Sequence, residues 1–326
     1  MKLIRRELLT GAAAMLLTSR FSGAAAAGTR VIVIEGPAFG ASWRVTLQEG
    51  AKIEAIRRSL QAVITSVDGT MSPFRPDSEI SHFNNSPATD WVSLSTDTCR
   101  VIKEGLRIAR VTGGAFDPTV GGIVGRYGFG PIRRLSRGNH SDISVRVDAA
   151  RKAHPNMSLD LCGIAKGHAL DRMVGVLEGS GISAFLVELG GEVFARGLHP
   201  RGRAWQVGIE HPDPGTISFQ RIVMLNGKAL ATSGDRVNSY SVGGRRYGHI
   251  IDPHAGLPAD SGVGSVSVFA PKAITADALA TALFALGAQA GAALAARENI
   301  SALFLLRERT GLREIMTGKF VDHVLA

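Results

Sequence analysis

The 326-residue chain has two cysteines, Cys99 and Cys162, three tryptophans, three tyrosines and an aromatic content of only 6%. Two cysteines cannot form a disulfide framework, and a domain of this size needs none; both are expected as buried free thiols. No run of five or more Lys or Arg appears. With so few aromatics, that argues against a nucleic-acid face. No internal repeat is present, and no low-complexity segment beyond the N-terminus.

The N-terminus is patterned. Lys2 and Arg5-Arg6-Glu7-Leu8-Leu9 precede an apolar stretch through Leu17 and the small residues Ala24–Ala27. A basic region, an apolar region and a cleavable small-residue end make residues 1–27 a signal peptide. The apolar stretch is too short to span a bilayer comfortably, so no stable membrane insertion is expected. Arg5-Arg6 resembles a twin-arginine signal, with an ordinary Sec signal as the alternative, and either places the mature chain in the periplasm. No Cys follows the stretch, so no lipid anchor is indicated. Of the formal charge of +9, residues 1–27 carry +3 (Lys2, Arg5, Arg6 and Arg20 against Glu7), leaving +6. A moderately basic surface suits an anionic ligand.

Residues 28–326 are long enough to bury one large core. Strand patterns are expected at Val31–Glu35 and Ser42–Gln48, joined by the turn-rich 36–40. Others fall at 158–161, 184–188, 192–197, 205–210, 220–225, 229–232, 247–251, 263–269 and 302–306. Helical spacing occurs at 53–67, 78–83, 96–110, 163–177 and 275–286. Residues 130–156 read as a polar surface excursion. Without regular βαβ alternation, the fold class is α+β.

Several clusters carry chemistry. Phe74 stands between Pro73 and Pro76 in Met71-Ser72-Pro73-Phe74-Arg75-Pro76-Asp77. Its stiff loop makes it a stacking platform or a plug over the core. Asp117, flanked by Gly113-Gly114 and Pro118, is a turn residue or an acceptor for a ring N–H or a ribose. Lys166 falls at the start of a helix, where a cation is disfavoured unless an anion joins it. That anion is a bound phosphate or a carboxylate, Asp160 or Asp171. Thr232-Ser233 beside Gly234 suit an anion or pyrophosphate. His249 is a general base or a hydrogen-bonded strand histidine. Asp277 and Thr281 lie four apart on an apolar helix, as oxygen donors to Mg²⁺ or as a helix cap with a back-bonded threonine.

In order along nearly the whole mature chain stand M-S-P-F-R-P-D-S-E-I-S, G-A-F-D-P-T-V-G, L-D-L-C-G-I-A-K-G-H-A-L-D, V-E-L-G-G-E, A-T-S-G-D, H-I-I-D-P-H-A-G and A-D-A-L-A-T-A-L-F-A-L-G. This series resembles the FAD:protein FMN transferases of the ApbE type. The resemblance implies an α+β fold with an FAD cleft between two subdomains. It also implies Mg²⁺-dependent transfer of FMN from FAD to a Thr or Ser hydroxyl of a target protein, with release of AMP. Such targets are flavin-carrying subunits of electron-transfer systems.

Carried over by residue, the resemblance gives Mg²⁺ to the Asp277 and Thr281 side chains and the Gly163 carbonyl. Lys166 faces the flavin or phosphate end of FAD. Met71, Asp117 and Ile251 line the FAD site, and His249 is the base or a phosphate contact. Phe74 stands where the family has tyrosine, and Cys162 where it has Gly or Ser. Asp235-Arg236-Val237 departs from the family's more aromatic version, which bears on the adenine side. An FAD pyrophosphatase and a flavin-binding protein without catalysis are the alternatives.

The leader generates a test. Arg5→Lys with Arg6→Lys is expected to stop export and leave active enzyme in the cytoplasm, measured by fractionation. Normal periplasmic levels would instead indicate a Sec route.

Overall fold

The computed structural model describes residues 31–49, 52–135, 138–259 and 262–325; the expected signal peptide lies outside them. The main sheet has eight antiparallel strands: β1 (Val31–Ala38), β2 (Ala41–Gln48), β3 (Phe185–Leu189), β4 (Glu192–Arg196), β5 (Lys228–Gly234), β6 (Val263–Ala270), β7 (Ser301–Glu308) and β8 (Gly311–Thr317). Their spatial order is their chain order, and every neighbouring pair is antiparallel. The helices are α1 (Ile53–Met71), α2 (Glu79–Asn85), α3 (Thr96–Val111), α4 (Gly121–Arg126), α5 (Ala165–Gly179) and α6 (Ala273–Arg297).

The central strands are apolar on both faces because both faces are covered. Val187, Leu189, Phe194, Ala229, Ala231, Val266, Val268 and Phe304 point to the helical layer and join the larger core. Their neighbours Leu186, Val193, Ala195, Leu230, Phe269, Leu303 and Leu305 point the other way. There a hairpin, Trp205–Glu210 with Phe219–Leu225, closes a second core with Trp205, Ile209, Val223 and Phe320. The period of two along a strand makes both cores from one sheet.

Helix α6 is apolar nearly all round because β5, β6, α3 and α5 all pack on it. By length and composition it could cross a membrane, yet its buried residues belong to the larger core. The expected helix end at Leu286 is a real break: Gly287 leaves helical geometry at φ 77°, and a second helical run continues to Arg297. Gly167 sits where α5 meets α6, and a Cβ there would lie 2.4 Å from the Ala273 carbonyl oxygen.

Several expectations are corrected. β1 runs through Gly36-Pro37 to Ala38, so the turn shrinks to Phe39-Gly40, both with positive φ. Two such residues suit a tight hairpin. Residues 158–161 are not a strand. The Asn84 side chain bonds both backbone groups of Leu159, as a neighbouring strand would (2.7 and 2.8 Å). The strand expected over 247–251 is interrupted at His249-Ile250. Residues 130–156 are not all surface, for Ile143–Val145 and Ala149–Lys152 form a small sheet with Val92–Ser93. Cys99 is buried, but Cys162 is exposed.

Lys152 is 1% exposed. Its ammonium donates to the carbonyls of Phe83, Asn84 and Met157 at 3.0–3.1 Å. Lys152→Met would leave three buried acceptors unsatisfied. The expected loss is at least about 3 kcal/mol, read from urea unfolding, since each orphaned group costs about 1–3 kcal/mol.

Candidate functional site

A cleft of about 980 Å³ opens between the loops of the helical layer and the ends of β5 and β6. One wall comes from 67–75, 115–130 and 160–166, the other from 207–212, 230–238 and 249–253. Met71, Phe74, Asp117, Gly163, Lys166, Thr232, Ser233, His249, Ile251, Asp277 and Thr281 all line it. Elements separated by more than two hundred residues thus converge on one space.

Its floor is set by two helix starts. The Asp171 carboxylate of α5 accepts from the Ala273 and Ile274 amides at the start of α6 (2.7 and 3.0 Å). In return, Asp277 of α6 accepts from the Gly167 amide in the first turn of α5 (2.9 Å). Each helix caps the other, satisfying donors that have no partner within their own helix. Asp277 therefore is not the N-cap of its own helix, which begins at Ala273. A regular helix would send the Gly167 amide to the Gly163 carbonyl. Its diversion to Asp277 turns it away from that carbonyl. Thr281 does not bond back to its own helix; its hydroxyl meets Ser233 Oγ at 3.2 Å. A Cβ on Gly163 would lie 3.3 Å from Thr281 Oγ1, so Gly163, Thr281 and Asp277 sit side by side.

Lys166 pairs with neither Asp160 nor Asp171. Its ion pair is with Glu192, at the start of β4. Asp160 instead accepts from the Cys162 amide (2.9 Å). Glu192 is 1% exposed, and its Oε2 has no hydrogen-bond partner among the described residues. Burial pushes its carboxyl up to about 7 against the pull of Lys166. Burial also raises Asp277, while Lys166 and the Gly167 amide oppose it. Burial disfavours the Lys166 charge, but Glu192 and Asp277 outweigh it and hold the ammonium above the usual lysine range. One cation thus faces two buried carboxylates. Glu192 lies in V-E-L-G-G-E without an assigned role in the sequence; its signal is a glutamate in an otherwise buried strand.

The remaining groups differ in freedom. Phe74 is 63% exposed, so it is no plug over the core. Arg75 behind it is held between Asp68 and Asp77. Met71 and Ile251 form buried apolar wall. Asp117 has both oxygens engaged, Oδ1 by the Thr119 amide and hydroxyl and Oδ2 by the His140 amide. Its turn role is therefore filled. Thr232 meets Ser267 Oγ at 2.8 Å. His249 contacts the Asn238 carbonyl through Nδ1 (3.2 Å), and burial lowers its pKa. Donation from Nδ1 leaves the Nε2 lone pair available. Asp235 turns away into a buried network with Arg246 and Arg307. Cys162 reaches the cleft surface at a point recessed in the protein, where desolvation and the Asp160 carboxylate raise its thiol well above the usual range. Sequence reasoning missed Ser265, a buried cleft residue whose hydroxyl has no partner among the described residues.

This sheet and helical layer have the fold of solved flavin transferases. The flavin transferase ApbE from Vibrio cholerae superposes with a TM-score of 0.83 at 31% identity, covering 90% of this chain and 99% of that one. The apo flavinyl transferase ApbE of Pseudomonas stutzeri gives 0.82 at 31%, covering 91% and 98%. The ApbE family model matches residues 39–304, and the chain belongs to the ApbE family. A curated relative from Vibrio cholerae, named FAD:protein FMN transferase, is 34% identical over 304 residues, 88% of this chain and 91% of the relative. One of the same name from Salmonella typhimurium is 30% identical over 88% of each chain.

The buried glutamate generates a pH test. Glu192 has a folded pKa raised from 4.5 to about 7. Between those values the native state holds a proton the unfolded state has lost, so stability falls as pH rises through the window. Glu192→Gln removes that slope. Relative to wild type, the variant should gain about 1–3 kcal/mol across the window, measured by denaturant unfolding. Parallel curves would mean that Glu192 is ionised throughout.

Proposed function

We propose that this chain transfers FMN from FAD to a hydroxyl of a target protein and releases AMP. The observation that carries the reading is the convergence, in a chain of the ApbE family, of a half-buried Lys166 backed by buried Glu192 and Asp277 with hydroxyls and an exposed aromatic at one cleft. The Phe74 lip suits a flat ring. Lys166 suits a phosphate, and Ser233 and Thr232 present hydroxyls beside it.

The chemistry is a displacement at phosphorus. The acceptor oxygen bonds to the FMN phosphorus, the bond from that phosphorus to the AMP oxygen breaks, and AMP leaves with its electron pair. Pyrophosphate charge repels the nucleophile, and Lys166 offsets part of that charge. His249 is neutral at neutral pH, with Nε2 placed to take the acceptor's proton. Positioning and electrostatics supply most of the rate.

The residues present fit Mg²⁺. The Gly163 carbonyl is freed from the Gly167 amide, Asp277 bonds that amide through one oxygen only, and Thr281 adds a hydroxyl. These are hard oxygen donors. The surplus of buried carboxylate over Lys166 favours a cation. Mg²⁺ bound there would neutralise phosphate charge and stabilise the leaving AMP. The leader supports a periplasmic enzyme, and the acceptors would be periplasmic electron-transfer proteins bearing a modifiable Thr or Ser.

Incubation with FAD and Mg²⁺, with and without an acceptor, is the test. AMP release together with an FMN mass increment on the acceptor supports transfer. AMP without acceptor identifies a hydrolase, and no AMP a flavin binder. Asp277→Ala should lower Mg²⁺-dependent AMP release by orders of magnitude, and Thr281→Val by less, with partial rescue at high Mg²⁺. Superimposable Mg²⁺ titrations of the three proteins would overturn the metal assignment.

A further inference from the structure

The acceptor must bring a hydroxyl into the cleft, and one surface element is built to receive it. Ser239–Val242 and Arg245–Gly248 form a two-stranded hairpin that stands apart from the main sheet. Among the described residues no third strand pairs with either edge. Ser239–Val242 is the more open strand, with Tyr240 40% and Val242 62% exposed. An unpaired, accessible edge is a template for another chain.

The hairpin is fixed to the cleft at its base. The His249 amide and Nδ1 both contact the Asn238 carbonyl, and Val237, Asn238 and His249 line the cleft. Its outer face is held by the chain's three tyrosines. Tyr240 stacks on Tyr247 (5.5 Å), Tyr247 on Tyr127 (6.4 Å), and Phe129 lies between Tyr240 and His249. The Tyr240 hydroxyl donates to the Tyr127 carbonyl (3.1 Å). The ring stack braces the hairpin, and its base adjoins the cleft.

Charge names the partner's chemistry. Around the tyrosine stack stand Arg126, Arg133 and Arg245, all exposed. Arg245 lies over the Tyr247 ring (5.2 Å), and Arg133 donates to the Gly125 carbonyl (2.6 Å). None of the three has a carboxylate partner among the described residues, whereas Arg75 across the mouth has two. Uncompensated guanidiniums beside a free edge favour an acidic strand.

We propose that an extended, acidic segment of the acceptor protein adds to the Ser239–Val242 edge as a third strand and so delivers its hydroxyl to His249. This inference rests on the transferase reading above. Backbone pairing supplies register without demanding a particular sequence, and the arginine rim selects acidic flanks.

The test uses the full chain with FAD and two synthetic peptides, each with one central threonine, flanked by aspartates in one and lysines in the other. Wild type should transfer FMN to the acidic peptide at least about tenfold more efficiently, through KM. Arg126→Glu with Arg245→Glu should abolish or reverse that preference while FAD binding stays unchanged. N-methylation of alternate peptide amides should abolish transfer to the acidic peptide. Wild-type preference retained in the double variant, or transfer indifferent to N-methylation, would overturn the docking strand and leave the transferase reading intact. FAD binding without transfer to any peptide or protein hydroxyl would overturn both.

Discussion

The reciprocal capping of α5 and α6 is the constraint on which the site depends. Two helix N-termini carry unpaired amides and the positive ends of two dipoles. Bringing them together is unfavourable unless anionic groups lie between them, and Asp171 and Asp277 are those groups. The approach is close enough that only glycine fits at 167. Once the caps are made, Lys166 follows from its place on the first turn of α5, and Thr281 from its place one turn beyond Asp277. The capping contact lies at the floor of the cleft, where the proposed function places its chemistry.

The electrostatics of the cleft follow from that geometry. Lys166 would be a misplaced cation at a helix start, but Glu192 crosses from the sheet to meet it. The pair joins the helical layer to β4 at the cleft floor. Two buried carboxylates against one ammonium leave an excess of one carboxylate, and burial raises the pKa values of both Glu192 and Asp277 against the pull of Lys166. That excess is stable only with a proton or a second cation nearby. On the proposed function, a cation-bound pyrophosphate would complete the site.

Much of this was legible in the chain. The α+β class followed from irregular alternation of strands and helices, and α1, α3, α5 and the first half of α6 followed from helical spacing. All eleven candidate residues meet in one cleft because their motifs are local and dense. Where expectation failed, a long-range contact was responsible. Residues 158–161 have a strand's apolar pattern, but their neighbour is the Asn84 amide. The polar stretch 130–156 hides a buried lysine because the Phe83 and Asn84 carbonyls of a distant segment join the nearby Met157 carbonyl around it. Cys162 was expected to be buried as a free thiol, yet the turn before α5 exposes it to the cleft.

By itself the sequence determined which groups are present and how neighbours along the chain are spaced: Asp277 over Thr281, Lys166 at a helix start, Phe74 between prolines. Those depend on backbone geometry within a few residues, which local periodicity encodes. Only the tertiary structure decided partners. It chose Glu192 rather than Asp160 or Asp171 for Lys166, gave Asp171 and Asp277 to each other's helices, engaged Asp117 with Thr119 and the distant His140 amide, and left the hairpin edge at Ser239–Val242 without a third strand among the described residues. Pairing of this kind depends on distances between segments up to about a hundred residues apart, and no local pattern carries those distances.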